Sequence, residues 1–171
     1  NRPPEVQDAV FQVAENTAAG TVVGKVIAND QDAGQLLTYA ITAGNDNGAF
    51  AINKDTGEIT VKDASKLDFE NSAPDGYSLT VEVTDNGSGT LSDTATVNIT
   101  VTNVEETLQG HAVDGYVAGA TVFADADEDG VLDAPGEKSA VTDASGNFTL
   151  VDGSGPLVMV GGVDLSTGLA F

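Results

Sequence analysis

Apolar and polar residues alternate along most of the first hundred positions, and a period of two is typical of β-strands with one buried face. The pattern recurs in GTVVGKVIAND (20–30), LLTYAIT (36–42), YSLTVEVTD (77–85) and TATVNITVTNV (94–104). Residues 49–61, AFAINKDTGEITV, predict a hairpin that turns at residues 54–57. No amphipathic helix of ordinary length is visible. The spacing predicts an all-β fold that begins with a seven-stranded Greek-key sandwich of about 100 residues.

The pattern changes after residue 106. HAVDGYVAGATVFAD (111–125) predicts two short strands around a glycine-rich turn, and SAVTDASGNFTLVD (139–152) predicts a second hairpin that turns at residues 144–147. GPLVMVGGVDL (155–165) predicts one more strand. We therefore expect two domains, 1–106 and 107–171, of which the second is a small and incomplete β-sandwich. We also expect the chain to be a segment of a longer polypeptide.

Charge and composition narrow the function classes. The chain has 27 acidic and 6 basic residues, so its formal net charge is −21, which disfavours nucleic acid and anionic lipid as partners. Hard cations, by contrast, prefer carboxylate oxygens. No cysteine is present and the only histidine is His111, which excludes thiol catalysis and leaves little for a Ser-His-Asp triad. No apolar run approaches the length of a transmembrane helix, so we expect no membrane insertion.

Acidic residues of the first part stand at the ends of predicted strands. A single such Asp is most simply a turn residue, but several strand ends of a sandwich meet at one pole. Two acids spaced two apart also point to the same face. Together these residues predict calcium ligands. They are Glu15, Asp30, Asp32, Asp68, Glu70, Asp85, Asn103, Glu105 and Glu106.

These motifs resemble those of a cadherin repeat. The resemblance covers about 100 residues and matches Glu15, the D-x-D of Asp30 and Asp32, the sequence LDFE at 67–70 and the sequence VTDNG at 83–87. It implies that Asp30, Asp32 and Asp85 form an N-terminal pole. It also implies that Glu15, Asp68, Glu70, Asn103 and Glu106 form a C-terminal cluster shared with a following domain. The sequence departs from the family at Phe69, where Arg is usual, and in NVEET (103–107), which replaces D-x-N-D-N but keeps oxygen donors.

The stretch DADEDGVLDAPGE, residues 125–137, predicts a second kind of calcium site. It follows most of the pattern D-x-D-x-D-G-x-x-D of an EF-hand loop. In this pattern Gly130 permits the sharp turn and Val131 offers its carbonyl. Position 12 is Gly136 and the acid Glu137 comes one residue later, while no helix flanks the loop. The alternative is a solvated acidic turn. The predicted ligands are Asp125, Asp127, Asp129, Val131, Asp133 and Glu137.

The second part resembles the transthyretin-like β-sandwich modules of large bacterial surface proteins, on the motifs VDGYVAGATVFAD, VTDASGNFTL and GGVDLSTG. The two resemblances imply an extracellular or cell-surface adhesin segment that calcium stiffens, and not an enzyme. Its expected partners are neighbouring domains of the same chain, a second copy through the truncated domain, and a surface glycan or protein ligand. The alternative is a calcium-dependent carbohydrate- or ligand-binding module, although the chain has no Trp and three Tyr.

Overall fold

The computed structural model describes residues 1–70, 76–112, 117–133 and 136–170. The chain divides into two compact units, Asn1–Val104 and Glu105–Phe171. The described residues contain β-strands and one 3₁₀ turn, Ala64–Lys66, so the all-β fold class predicted from the sequence is confirmed.

The first unit consists of short and medium strands with alternating burial. The longest two show the pattern most clearly. In Tyr77–Thr84 the buried residues are 79, 81 and 83, and in Ser92–Thr102 they are 95, 97, 99 and 101. The strands are β1 (Glu5–Val6), β2 (Ala9–Ala14), β3 (Val22–Lys25), β4 (Ala28–Asn29), β5 (Thr38–Ala43), β6 (Phe50–Ile52), β7 (Glu58–Val61), β8 (Tyr77–Thr84) and β9 (Ser92–Thr102).

These strands form two layers of a sandwich. One sheet has the order β2-β9-β8-β5 and the other the order β3-β7-β6, with a short β1-β4 pair beside them. Strand β2 is parallel to β9, whereas the other pairs are antiparallel. The first strand therefore changes partner, from β4 at Glu5–Val6 to β9 at Ala9–Ala14. Counting β1 with β2 and β3 with β4 as interrupted strands gives the predicted seven.

The core lies between the two sheets. Strands β8 and β9 contribute Leu79, Val81, Val97 and Ile99, which are almost fully buried, and the opposite sheet contributes Phe50, whose ring packs edge-on against Tyr77 with centroids 4.9 Å apart. Burying side chains of this size stabilises a fold by roughly 1.5–3 kcal/mol each. This core fixes the strand ends, where the acidic residues lie.

In the second unit, the described residues form eight short strands in three antiparallel sheets with the orders β10-β14, β11-β16-β17 and β13-β12-β15. Its buried side chains include Phe123 and Leu150. The strands are β10 (Thr107–His111), β11 (Val117–Ala118), β12 (Thr121–Ala124), β13 (Ser139–Val141), β14 (Asn147–Val151), β15 (Leu157–Val160), β16 (Val163–Asp164) and β17 (Leu169–Ala170). The predicted glycine-rich turn near residue 115 lies largely outside the described residues.

Two predictions for this unit were wrong, one in its strand pairing and one in its strand length. The turn at residues 143–147 is present, with Asp143 N–H donating to the Asn147 carbonyl at 2.8 Å, but its arms do not pair with each other: β13 pairs with β12, and β14 pairs with β10. The single strand predicted over 155–165 is also broken. Gly161 and Gly162 have φ of 66° and 100°, a left-handed conformation that ends β15 before β16 begins.

Candidate metal centres

Glu15 stands directly after β2 and joins three parts of the first unit. Its side chain is 4% exposed. One carboxylate oxygen, Oε1, accepts the N–H of Val104 at 2.6 Å, and the other, Oε2, accepts the N–H of Phe69 at 2.9 Å. The main chain of Glu15 also donates to Thr102 O at 3.0 Å, which extends the contact between β2 and β9. The carboxylate is therefore held at the end of the sandwich where β9 leaves it.

The loop after the 3₁₀ turn brings two further carboxylates to Glu15. Oxygen atoms of Glu15, Asp68 and Glu70 lie within 4.8 Å of one another. The side-chain amide of Asn103 donates a hydrogen bond to Glu70 Oε1. The structure thus brings together four of the residues that the sequence assigned to the C-terminal cluster.

Glu105 and Glu106 belong to the second unit, where both are exposed. The main chain of Glu106 is tied to Asp152 by two hydrogen bonds of 2.8 Å. One runs from Glu106 N–H to Asp152 Oδ1 and the other from Asp152 N–H to Glu106 O. These contacts fix the start of β10.

The three aspartates predicted for the N-terminal pole accept hydrogen bonds from main-chain N–H groups. Asp85, 3% exposed, accepts the N–H groups of Gly87 and Leu91 at 3.1 and 3.0 Å. Asp32 accepts the N–H of Arg2 at 2.6 Å, and Asp30 Oδ1 accepts the N–H of Asp32 at 2.8 Å. Within the described part of the chain, the three aspartates do not converge into one ligand group as Glu15, Asp68 and Glu70 do.

Two oxygens at this pole are buried without a hydrogen-bond partner in the described residues. They are Asp30 Oδ2 and Gln35 Oε1. Because an unpaired buried oxygen is costly, a cation near Asp30 fits this pole better than a purely structural role does. Gln35 was missed from the sequence, since a single Gln in a polar turn carries no signal for metal binding.

The acidic loop of the second unit curls around its first aspartate. Asp125 is 3% exposed and accepts the N–H groups of Asp129 and Gly130 at 3.1 and 2.8 Å. The sharp turn uses positive φ at Glu128 (62°) and at Gly130 (79°). The predicted turn at Gly130 is therefore present. Val131 donates its N–H to Asp129 Oδ1 at 2.7 Å, and its side chain is exposed.

Glu137 reaches back across the loop although it stands one position later than the EF-hand pattern requires. Its Oε1 accepts the N–H of Ala126 at 2.7 Å, and its Oε2 accepts that of Asp133 at 3.0 Å. Carboxylate oxygens of Asp125, Asp127 and Glu137 form one group within 4.8 Å, and those of Asp127, Asp129 and Asp133 form another. The loop therefore gathers the five acids that the sequence singled out.

Electrostatics in this loop favour a cation. The pKa of Asp127 lies above its ordinary value because desolvation and the negative charges of Asp129, Glu137 and Asp133 oppose ionisation, against one main-chain hydrogen bond that favours it. The candidate metal-ligand atoms in the three groups, at the two poles of the first unit and in the acidic loop, are carboxylate and amide oxygens. None of them is a sulfur or an imidazole nitrogen. This donor chemistry fits Ca²⁺ better than a transition metal.

Comparison with known proteins identifies the family. Residues 9–102 match the Cadherin domain. The chain belongs to the cadherin family. Cadherin domains generally bind calcium and serve adhesion outside the cell, and the match is not to a family of enzymes. No helix in the described part of this cadherin is long and apolar enough to cross a membrane.

Several curated relatives are very long protocadherins. The chain is 35% identical to human Protocadherin Fat 1 over 168 residues, which cover 90% of this chain and 3% of that protein. It is 40% identical to human Protocadherin Fat 4 over 97 residues, which cover 56% of this chain and 2% of that protein. It is 28% identical to zebrafish (Danio rerio) Cadherin-related family member 1a, and the match covers 91% of this chain and 20% of that protein. The chain thus spans only a small part of these relatives.

Solved structures show the same fold. Mouse clustered PcdhgC3 EC1-3 has a TM-score of 0.51 and 26% identity, covering 58% of this cadherin and 33% of that chain. The Protocadherin gammaB7 EC3-6 cis-dimer structure has a TM-score of 0.55 at 19% identity, and the match covers 94% of this cadherin and 51% of that chain. The second likeness concerns the fold alone.

Proposed function

We propose that this cadherin is a calcium-binding, calcium-rigidified structural and adhesive segment of a secreted or cell-surface adhesin. The observation that carries the proposal is the convergence of Glu15, Asp68 and Glu70, whose oxygens lie within 4.8 Å of one another at one end of a cadherin domain. Like charges this close repel one another, and a bound Ca²⁺ supplies the opposite charge through oxygen ligands.

The proposed ligands form three sets. Glu15, Asp68, Glu70 and Asn103 hold calcium at the end of the first unit. A second set, Asp30, Asp32 and Asp85, serves the opposite pole of the first unit. The acidic loop supplies the third set, which is Asp125, Asp127, Asp129, Asp133, Glu137 and the carbonyl of Val131.

A calcium titration tests this function. Binding to the folded state alone stabilises it by mass action, and extracellular modules bind calcium at roughly 10⁻⁴–10⁻³ M. We therefore expect the melting temperatures of both units to rise over millimolar calcium. Asp68→Asn with Glu70→Gln should reduce the shift of the first unit, since the set at Asp30, Asp32 and Asp85 remains, and Asp125→Asn with Asp127→Asn should remove that of the second. Glu82→Gln serves as the charge control, and identical melting in calcium and in EDTA would contradict the proposal.

The setting proposed for this segment is a large bacterial surface protein, with the second unit as a transthyretin-like module. The three small antiparallel sheets of residues 105–171 support a compact β-module. Labelling of intact bacterial cells with an antibody raised against the chain tests the surface location. Binding of that antibody only after cell lysis would contradict it.

We also propose that the segment associates with neighbouring domains of its own polypeptide, with a second copy, and with a surface glycan or protein ligand. Support for a second copy comes from β15, a sheet-edge strand whose Leu157, Met159 and Val160 are exposed, since exposed apolar edges favour pairing between chains. Sedimentation over a range of concentrations should show a dimer that Met159→Asp weakens. A glycan array with and without calcium tests the alternative function. Glycan binding that requires calcium would favour a carbohydrate-binding module over a structural segment.

A further inference from the structure

The carboxylate of Glu15 is bound on both oxygens by main-chain groups that are distant in sequence. Phe69, which donates to Oε2 at 2.9 Å, is 54 residues away, and Val104, which donates to Oε1 at 2.6 Å, is 89 residues away. Neither contact involves a metal. The strand end, the loop that carries Asp68 and Glu70, and the last residue of the first unit are thus joined through one side chain.

The main-chain hydrogen bonds stabilise the buried Glu15 carboxylate. A carboxylate that is 4% exposed requires partners, because a buried charge without them is strongly destabilising. Hydrogen bonds to an ionised acceptor are stronger than neutral ones. The main-chain hydrogen bond from Glu15 N–H to Thr102 O fixes the backbone of Glu15 to β9. The position from which its side chain starts is therefore fixed as well. Each oxygen also keeps a lone pair for a further partner.

We propose that Glu15 is a metal-independent latch, a positioning residue that holds the Asp68–Glu70 loop and residue 104 against the end of β2 before calcium arrives. The latch rests on the proposed function only because the loop that it holds carries the proposed ligands. It gives Glu15 a role in addition to the ligand role that it shares with Asp68 and Glu70: Glu15 also assembles the site before the ion binds.

Amide hydrogen exchange on the full chain in EDTA tests the latch, because no calcium is needed for the contacts. In the wild type we expect the amides of Phe69 and Val104 to be protected. In Glu15→Gln at least one of them should exchange about tenfold faster or more, since an amide side chain offers one acceptor oxygen in place of two. Glu82→Gln removes the same charge from β8 and should leave both amides unchanged.

Amides of the β8–β9 ladder report whether the first unit is folded in every variant. If Glu15→Gln does not fold, Glu15→Asp, which keeps the charge on a shorter side chain, should show the same faster exchange. Unchanged protection of Phe69 and Val104 in the variant overturns the latch. Protection of these amides that appears only with calcium in the wild type also overturns it. A chain that binds no calcium would refute the proposed function and leave the exchange results in EDTA standing.

Discussion

At the scale of single residues, Asp143 shows how a carboxylate orders a turn through main-chain hydrogen bonds. Its Oδ1 accepts the N–H groups of Ser145 and Asn147 at 2.7 and 2.9 Å. The pKa of Asp143 is lowered, chiefly by the main-chain hydrogen bond from Asn147, then by the Asn147 side chain and by Ser145, with a smaller attraction from His111. Asp164 is similar, because hydrogen bonds from Ser166 and Thr167 lower its pKa.

The lowered pKa of Asp143 predicts a pH dependence. A carboxyl whose pKa is lower in the folded than in the unfolded state stabilises the fold above the unfolded value, and this contribution disappears as the pH falls through the folded pKa. The gap in free energy of unfolding between the wild type and Asp143→Ala should therefore be constant near neutrality and narrow below about pH 4. Urea unfolding at several pH values measures it. An NMR titration that placed the Asp143 pKa above 3.8 would contradict the argument.

A glycine beneath the acidic loop makes a second prediction at this scale. Gly155 has φ of 103°, and a Cβ there would lie 2.3 Å from the main-chain oxygen of Asp125. Gly155→Ala should therefore displace the first residue of the loop and lower both the stability of the second unit and its calcium affinity. Gly168→Ala is the matched control, because φ there is also positive (74°) but nothing lies within 4 Å of the added Cβ. Equal losses in the two variants would show that backbone strain alone is responsible.

At the scale of elements, alternation in the sequence locates strands better than it pairs them. The period of two in residues 77–85 and 94–104 was enough to predict β8 and most of β9. It could not show that β13 and β14 belong to different sheets, because pairing depends on contacts such as Gly110 with Phe148 that join distant segments. Local turn chemistry was correct at residues 143–147, and only the choice of partner strand was wrong.

The buried face of β8 predicts a large loss of stability on truncation. Leu79 is completely buried in the core of the first unit. Leu79→Ala should lower the free energy of unfolding of that unit by about 2–5 kcal/mol, since it removes buried methyl groups and leaves a cavity. Val10→Ala on β2, where the side chain is 72% exposed, should change it by less than about 0.5 kcal/mol. Denaturation of the full chain in urea, followed by a probe in the first unit, checks both values.

At the scale of the whole molecule, the sequence predicted which residues carry the proposed calcium chemistry but not how they are held. Motif spacing identified Glu15, and only the fold shows that its two oxygens bind Phe69 and Val104. The same limit applies to Gln35, whose buried oxygen becomes noticeable only once its surroundings are known. The spacing of residues in a sequence indicates which side chains could bind a metal. It does not indicate which main-chain N–H groups from distant segments will bind those side chains in the fold.

The parallel pairing of β2 with β9 has a mechanical consequence. Six residue pairs run from Ala9 opposite Val97 to Ala14 opposite Thr102, in the first long strand and the last strand of the unit. Tension applied through the ends of this unit pulls the two strands in opposite directions along their length. All the hydrogen bonds between them are then loaded in shear at once, instead of opening one by one. Because forced unfolding follows the unfolding rate, pulling through the chain ends should require more force than pulling through cysteines placed at Thr84 and Ser92, which face each other where β8 and β9 meet and would unzip.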